Sequence, residues 1–173
     1  GVGPDDCLGA NPALVYARMT GWGQEGPLAD RVGHDLNYAS ITGAIAAIGE
    51  PGRKPVPPLN LVADFGGGSM FCVMGVLAAL VERTTSGKGQ VVDVAMVETS
   101  MPFAIAGFGL MFGEQSPQRG AEALTGGIAP YQTYATKDGR AMALSALEPK
   151  FWMQFSEGVG HAIDMSDLVP GEH

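Results

Sequence analysis

The stretch ADFGGGSMFCVMGVLAALVERTTSGKGQVVDVAMVE, residues 63–98, decides the fold class. Asp64 stands before Phe65 and three glycines, and an apolar run then continues as far as Ser86-Gly87-Lys88-Gly89. An acidic start and a glycine stop delimit a helix of about five turns. Its apolar character runs nearly all round, which predicts burial on every side. The next residues, QVVDVAMV at 90–97, are rich in valine and read as a strand.

Upstream, LVYARM at 14–19 reads as a short buried strand that ends in the loop GWGQEGP at 21–27. Residues 35–48, DLNYASITGAIAAI, place Ile41, Ile45 and Ile48 at helical spacings, with Gly43 interrupting. EPGRKPVPP at 50–58 predicts an extended proline-rich connector. Downstream, residues 98–113 are apolar and helix-like despite Gly107 and Gly109, and 114–130 form a polar, glycine-rich loop. YQTYAT and AMALSAL flank Lys137-Asp138-Gly139-Arg140, where Asp-Gly between two such runs signals a hairpin. Glu148-Pro149 opens a short helix, FWMQFSEG, with proline in its first turn; no pattern is clear after Gly160. Strand, helix, strand, helix and hairpin together predict an α/β chain.

Composition narrows the function. The chain has 173 residues, 46% of them apolar and 16% charged, a globular balance. Ten Lys and Arg against 18 Asp and Glu give a net charge of −8, with no basic cluster. That argues against nucleic acid and anionic membrane surfaces as partners. The longest apolar run, Met70 to Val81, is shorter than the roughly 20 residues a bilayer requires. Cys7 and Cys72 form no CxxC pair and no zinc spacing, so reduced thiols, a cytoplasmic location and no metal site are expected. The chain starts without Met, in what reads as the middle of a fold.

Four features carry chemistry. Gly21-Trp22-Gly23-Gln24-Glu25-Gly26 matches GxGxxG after a strand, but Pro27 follows at once and no apolar helix opens there. A dinucleotide site needs that helix N-terminus, so a structured loop beside a cleft is the better reading. His34 precedes a predicted helix, where the positive end of the helix dipole favours a neutral, proton-accepting imidazole. Asp64 suits a helix N-cap, yet Gly66, Gly67 and Gly68 behind it cost a helix start roughly 1 kcal/mol each relative to alanine. Bare backbone at that place suits an anion, or an oxygen that becomes anionic during reaction. Glu148 sits where a strand hands over to a helix, while Asn60 and Tyr38 are polar residues among apolar ones.

Taken together, ARMTGWGQEGP, GHDLNYASITG, PVPPLNLVADFGGGSM, SGKGQVVDVAMVE, APYQTYATKDGR and ALEPKFW resemble the α-methylacyl-CoA racemase branch of the family III CoA-transferase superfamily. They cover most of residues 10–155 in the family's order. The resemblance implies an interlocked homodimer, with residues 1–113 forming part of a large Rossmann-like, CoA-binding domain and 114–173 the start of a smaller one. It implies that His34 and Asp64 are the catalytic pair and that Glu148 supports the histidine. It places Gly33, Asp35, Leu36, Asn37 and Tyr38 in a segment lining the acyl-CoA site, with Asn60 close by. Thr125 departs from the family's aspartate before Gly126-Gly127, and the family chain is about twice as long, with most CoA-binding arginines in an N-terminal part not found here.

The reaction so implied is racemisation of 2-methylacyl-CoA thioesters by proton exchange at C2, with CoA part of the substrate and no separate cofactor. Inversion needs an acid and a base on opposite faces of the enolate, a demand that a His/Asp pair meets. The N–H of Asp64 is the expected donor to the enolate oxygen, and Gly66, Gly67 and Gly68 would let the thioester reach the backbone. Met70, Met96, Met101 and Met111 read first as core filler and second as a pliable acyl wall. Two rival readings stay open: a CoA-transferase with Asp64 as nucleophile, and an inert chain that only dimerises.

Overall fold

A computed structural model describes residues 1–113, 117–160, 162 and 164–170. The fold divides into two compact units, Gly1–Ile45 with Pro57–Phe108, and Ala46–Val56 with Gly109–His173. Residues 46–56 thus join the second unit, a difference from the expected division at 113/114.

In the first unit, α1 (Pro4–Ala10) carries proline in its first turn and Asp5 and Asp6 behind it, which complement the helix dipole. Its seven residues carry no apolar periodicity that marks a helix in the sequence. Strand β1 (Tyr16–Thr20) pairs in parallel with β2 (Val91–Ala95), from Tyr16 opposite Val91 to Thr20 opposite Ala95. The Arg18 guanidinium bonds the carboxylate of Asp93, its direct partner in register, at 2.8 and 3.0 Å. Between the strands come α2 (Asp35–Ile41), a 3-10 turn (Ala44–Ala47) and one continuous helix in two parts: a π-helix (Leu61–Met70) running into α3 (Phe71–Ser86). The expected helix 35–48 is broken at Gly43, which takes φ +82°. Gly87, at φ +69°, closes α3 and donates its N–H to the Arg83 carbonyl, the predicted glycine stop.

Burial of α3 on every side is not what the structure has. The sheet beneath it has two strands and meets one face only, where a Cβ on Gly75 would lie 2.6 Å from Val92 Cγ1 and Ala79 is buried. Met70, Val73, Met74, Leu77 and Val81 stand exposed along another face. The unbroken helix Leu61–Ser86 spans 26 residues and is, by length and composition, long and apolar enough to cross a bilayer; the shorter run Met70–Val81 had suggested otherwise. After β2, the expected helix 98–113 resolves into α4 (Met96–Thr99), a 3-10 turn (Met101–Ala104) and α5 (Ile105–Phe112), with Gly107 and Gly109 inside α5.

The second unit contains the hairpin of β3 (Tyr131–Ala135) and β4 (Ala141–Ser145), antiparallel from Tyr131 opposite Ser145 to Ala135 opposite Ala141. Gly139 supplies the φ of +79° that the turn requires. The Arg140 guanidinium and the Thr136 hydroxyl donate to Asp138, holding its carboxyl down to about 2. Helix α6 (Pro149–Val159) starts on proline, stops at Gly160 and buries Trp152 and Ser156. The connector 50–58 is not simply extended: it turns at Glu50–Arg53 with Gly52 at φ +67°, and Val56 returns to bond the Ile48 carbonyl. Arg119 ties this turn down by donating to the carbonyls of Ala46 and Arg53.

Candidate active site

The loop after β1 is built around Tyr38. The Tyr38 ring meets Trp22 edge-on at 4.7 Å, and a Cβ on either Gly21 or Gly33 would collide with it. Gly23 donates its N–H to the Thr20 hydroxyl. Gly21 and Gly33 therefore admit an aromatic pair, while Gly23 and Gly26 take the positive φ of +94° and +99°, which together explain a Gly-rich loop without a phosphate. Burial, and secondarily the negative charge of Asp64, push the Tyr38 hydroxyl above the usual phenol value.

His34 is the N-cap of α2, with extended backbone and an exposed side chain. Its N–H donates to Asn37 Oδ1 at 3.0 Å, and its carbonyl accepts from the N–H groups of Asn37 and Tyr38. The side chain of Asn37 thus holds the backbone that carries the imidazole. Leu36 points outward and is exposed; Gly33 is half-buried. Asp35 is only 4% exposed, and its Oδ2 accepts two backbone N–H groups, from Ala63 at 2.6 Å and from Asp64 at 2.9 Å. Asp35 and Tyr38, expected to line the substrate site, are buried inside the unit.

Asp64 lies in the first turn of the π-helix rather than at its cap, which is Asn60. Asn60 Nδ2 donates to Asp64 Oδ2 at 3.3 Å, and the Ser69 hydroxyl donates to the Asp64 carbonyl. Leu59, just before the cap, is the one described non-glycine residue with positive φ, at +57°. The wide i to i+5 pattern appears in the bond from Phe65 N–H to the Asn60 carbonyl.

Two expectations about this turn change. The N–H of Asp64 is already given to Asp35, so it is not the free donor proposed for an enolate oxygen. The glycines are explained by packing: a Cβ on Gly66 would sit 2.9 Å from Phe103 Cζ, on Gly67 2.9 Å from Ser100 Oγ, and on Gly68 2.9 Å from Met19 Sδ. Gly67 and Gly68 are buried, and Met19 and Met96 pack against Gly68; of the methionines expected to fill the core, Met96 is half-buried, whereas Met70, Met101 and Met111 are exposed. Ser100, fully buried and bonded to the Met96 carbonyl, was not singled out from the sequence; a lone serine after a strand gives no signal of that role.

The structure therefore gathers Gly33–Tyr38, Asn60, Asp64, Gly66 and Gly67 within the first unit. Glu148 belongs to the second, at the N-cap of α6, exposed. Thr125 ends a 3-10 turn (Ala123–Thr125), its hydroxyl bonding both the N–H and the carbonyl of Glu122.

This α/β arrangement is that of CaiB/BaiF proteins: a crystal structure of a CaiB/BaiF family protein from Brucella suis matches 98% of this chain and 45% of its own, with a TM-score of 0.75 and 26% identity. The model of CoA-transferase family III matches residues 1–168. The chain belongs to that family. It is 44% identical over 160 residues to the mouse α-methylacyl-CoA racemase and 41% identical over 172 residues to the human one. These alignments take in 92% and 99% of this chain and 42% and 44% of the two racemases, so the chain spans less than half their length.

Proposed function

We propose that this chain carries the proton-transfer centre of an isomerase that interconverts the two C2 configurations of 2-methylacyl-CoA thioesters. The observation that carries the reading is the joining of His34 and Asp64: one caps α2, the other sits in the first turn of the π-helix, and Asp35 next to His34 bonds the Asp64 backbone. The likeness to the two racemases supports the same chemistry.

In the reaction, one group acts as base and removes the C2 proton, and the electron pair moves onto the thioester oxygen as an enolate. The other group, protonated, returns a proton to the opposite face, so each turnover exchanges the protonation states of the pair. His34 serves one face and Asp64 the other. Asn60 holds the Asp64 carboxylate, Glu148 keeps the supporting role that the family resemblance gives it, and the protein is homodimeric and cytoplasmic in this scheme. CoA enters as part of the substrate, and the scheme calls on no metal or further cofactor.

Incubation of one enantiomer of a 2-methylacyl-CoA in deuterated water, with no acceptor acid, tests the reading. Deuterium at C2 with loss of chirality is expected. CoA passing to an added acceptor acid without C2 exchange would establish the transferase alternative, in which Asp64 attacks as a nucleophile.

A further inference from the structure

The geometry points to Asp35 as the residue that fixes the distance between the two proton-transfer groups. Asp35 follows His34 in the chain, so its backbone position and that of His34 move together. Its carboxylate reaches across to the π-helix and accepts the N–H groups of Ala63 and Asp64 through the single atom Oδ2. One residue is thus joined by a peptide bond to the first group and by a hydrogen bond to the backbone of the second. Asp35 is buried, and its other oxygen, Oδ1, has no hydrogen-bond partner. A buried carboxylate costs free energy unless bonds to it repay that cost, and two charge-assisted bonds converge on one oxygen here. Among the described residues, no other side-chain hydrogen bond joins α2 to the π-helix. Asp35 is a positioning residue: it acts through Asp64 and His34 and need not touch the substrate. This role rests on the racemase reading for its catalytic consequence and on geometry alone for the clamp itself.

Two variants test it, with two readouts. In Asp35→Asn the amide oxygen replaces Oδ2 and can still accept both N–H groups, while the amide nitrogen takes the place of the unpartnered Oδ1. In Asp35→Ala the clamp is gone. By NMR, the Ala63 and Asp64 amides are expected to exchange with deuterium about 10- to 100-fold faster in Asp35→Ala and close to the parent rate in Asp35→Asn, with Ala79 and Val94 unchanged in both. The second readout uses the enantiomer whose C2 hydrogen faces His34. In Asp35→Ala, His34 still removes and returns a proton while Asp64 is displaced. The ratio of inversion to deuterium uptake should therefore fall about tenfold or more, since a displacement of 1 Å can cost 100-fold. Asp35→Asn should restore the parent ratio. Unchanged amide exchange in Asp35→Ala overturns the clamp. Inversion and uptake falling in equal proportion overturn the positioning role and leave Asp35 a structural residue. A parent chain that takes up no deuterium contradicts the racemase reading instead, and the amide rates then decide the clamp by themselves.

Discussion

Asp35, Asn60 and Leu59 carry more of the candidate site than their spacing reveals. Asp35 is easily read as a second charged residue beside a catalytic histidine, yet its carboxylate faces the protein interior. Asn60 donates to the Asp64 carboxylate from one turn away. Leu59 precedes it in a left-handed conformation that costs a side-chain-bearing residue roughly 1–2 kcal/mol, although its side chain is 77% exposed and buries little. Replacing it with glycine removes that strain and adds roughly 0.5–1 kcal/mol of unfolded-chain entropy. Leu59→Gly is therefore expected to leave stability within about 1 kcal/mol of the parent in chemical denaturation, or to raise it slightly; a loss above about 2 kcal/mol would show that the Leu59 side chain packs in solution. His34, Asp64 and Glu148 were legible only as candidates, because each stands in a peculiar local run, GHDLNY, ADFGGG and LEPKFW. The inward turn of Asp35 and Tyr38 was not, because a polar side chain carries no mark of whether its partner is substrate or backbone.

At the scale of elements, the hairpin and both parallel strands could be read directly, since Asp138-Gly139 and the valine-rich 90–97 signal through local chemistry. The helix 61–86 could be read as one element but not in its two parts. Its glycine triplet suggested an approach for substrate, whereas the π-helical turn needs the glycines to lie against Phe103, Ser100 and Met19. Periodicity also could not say what covers α3, because an all-round apolar pattern is the same whether one face or all faces are packed. The observed one-sided packing makes a sharp contrast between neighbours. Gly75→Val forces a side chain into Val92 and should cost about 1–3 kcal/mol. Leu77→Lys, on the exposed face, should change stability by no more than about 0.5 kcal/mol. Thermal unfolding of the two variants side by side checks this; equal losses would mean that the outer face of α3 is covered in solution.

As a whole molecule, the chain is a family III CoA-transferase sequence spanning less than half the length of the racemases it resembles, with the pair proposed for proton transfer in one unit and Glu148 in the other. The fold class followed from the order of elements, while the partition of 46–56 into the second unit did not, because Arg119 holds that turn from 66 or more residues away. The central claim is that His34 and Asp64 work as opposed acid and base at C2. Its most direct test follows C2 deuterium uptake and loss of chirality, from each enantiomer separately, in the parent chain, His34→Ala and Asp64→Asn. Both variants are expected to lose racemisation by about 100-fold or more, each losing uptake chiefly from the enantiomer whose hydrogen its missing base would remove. Uptake and racemisation at the parent rate in either variant would contradict it.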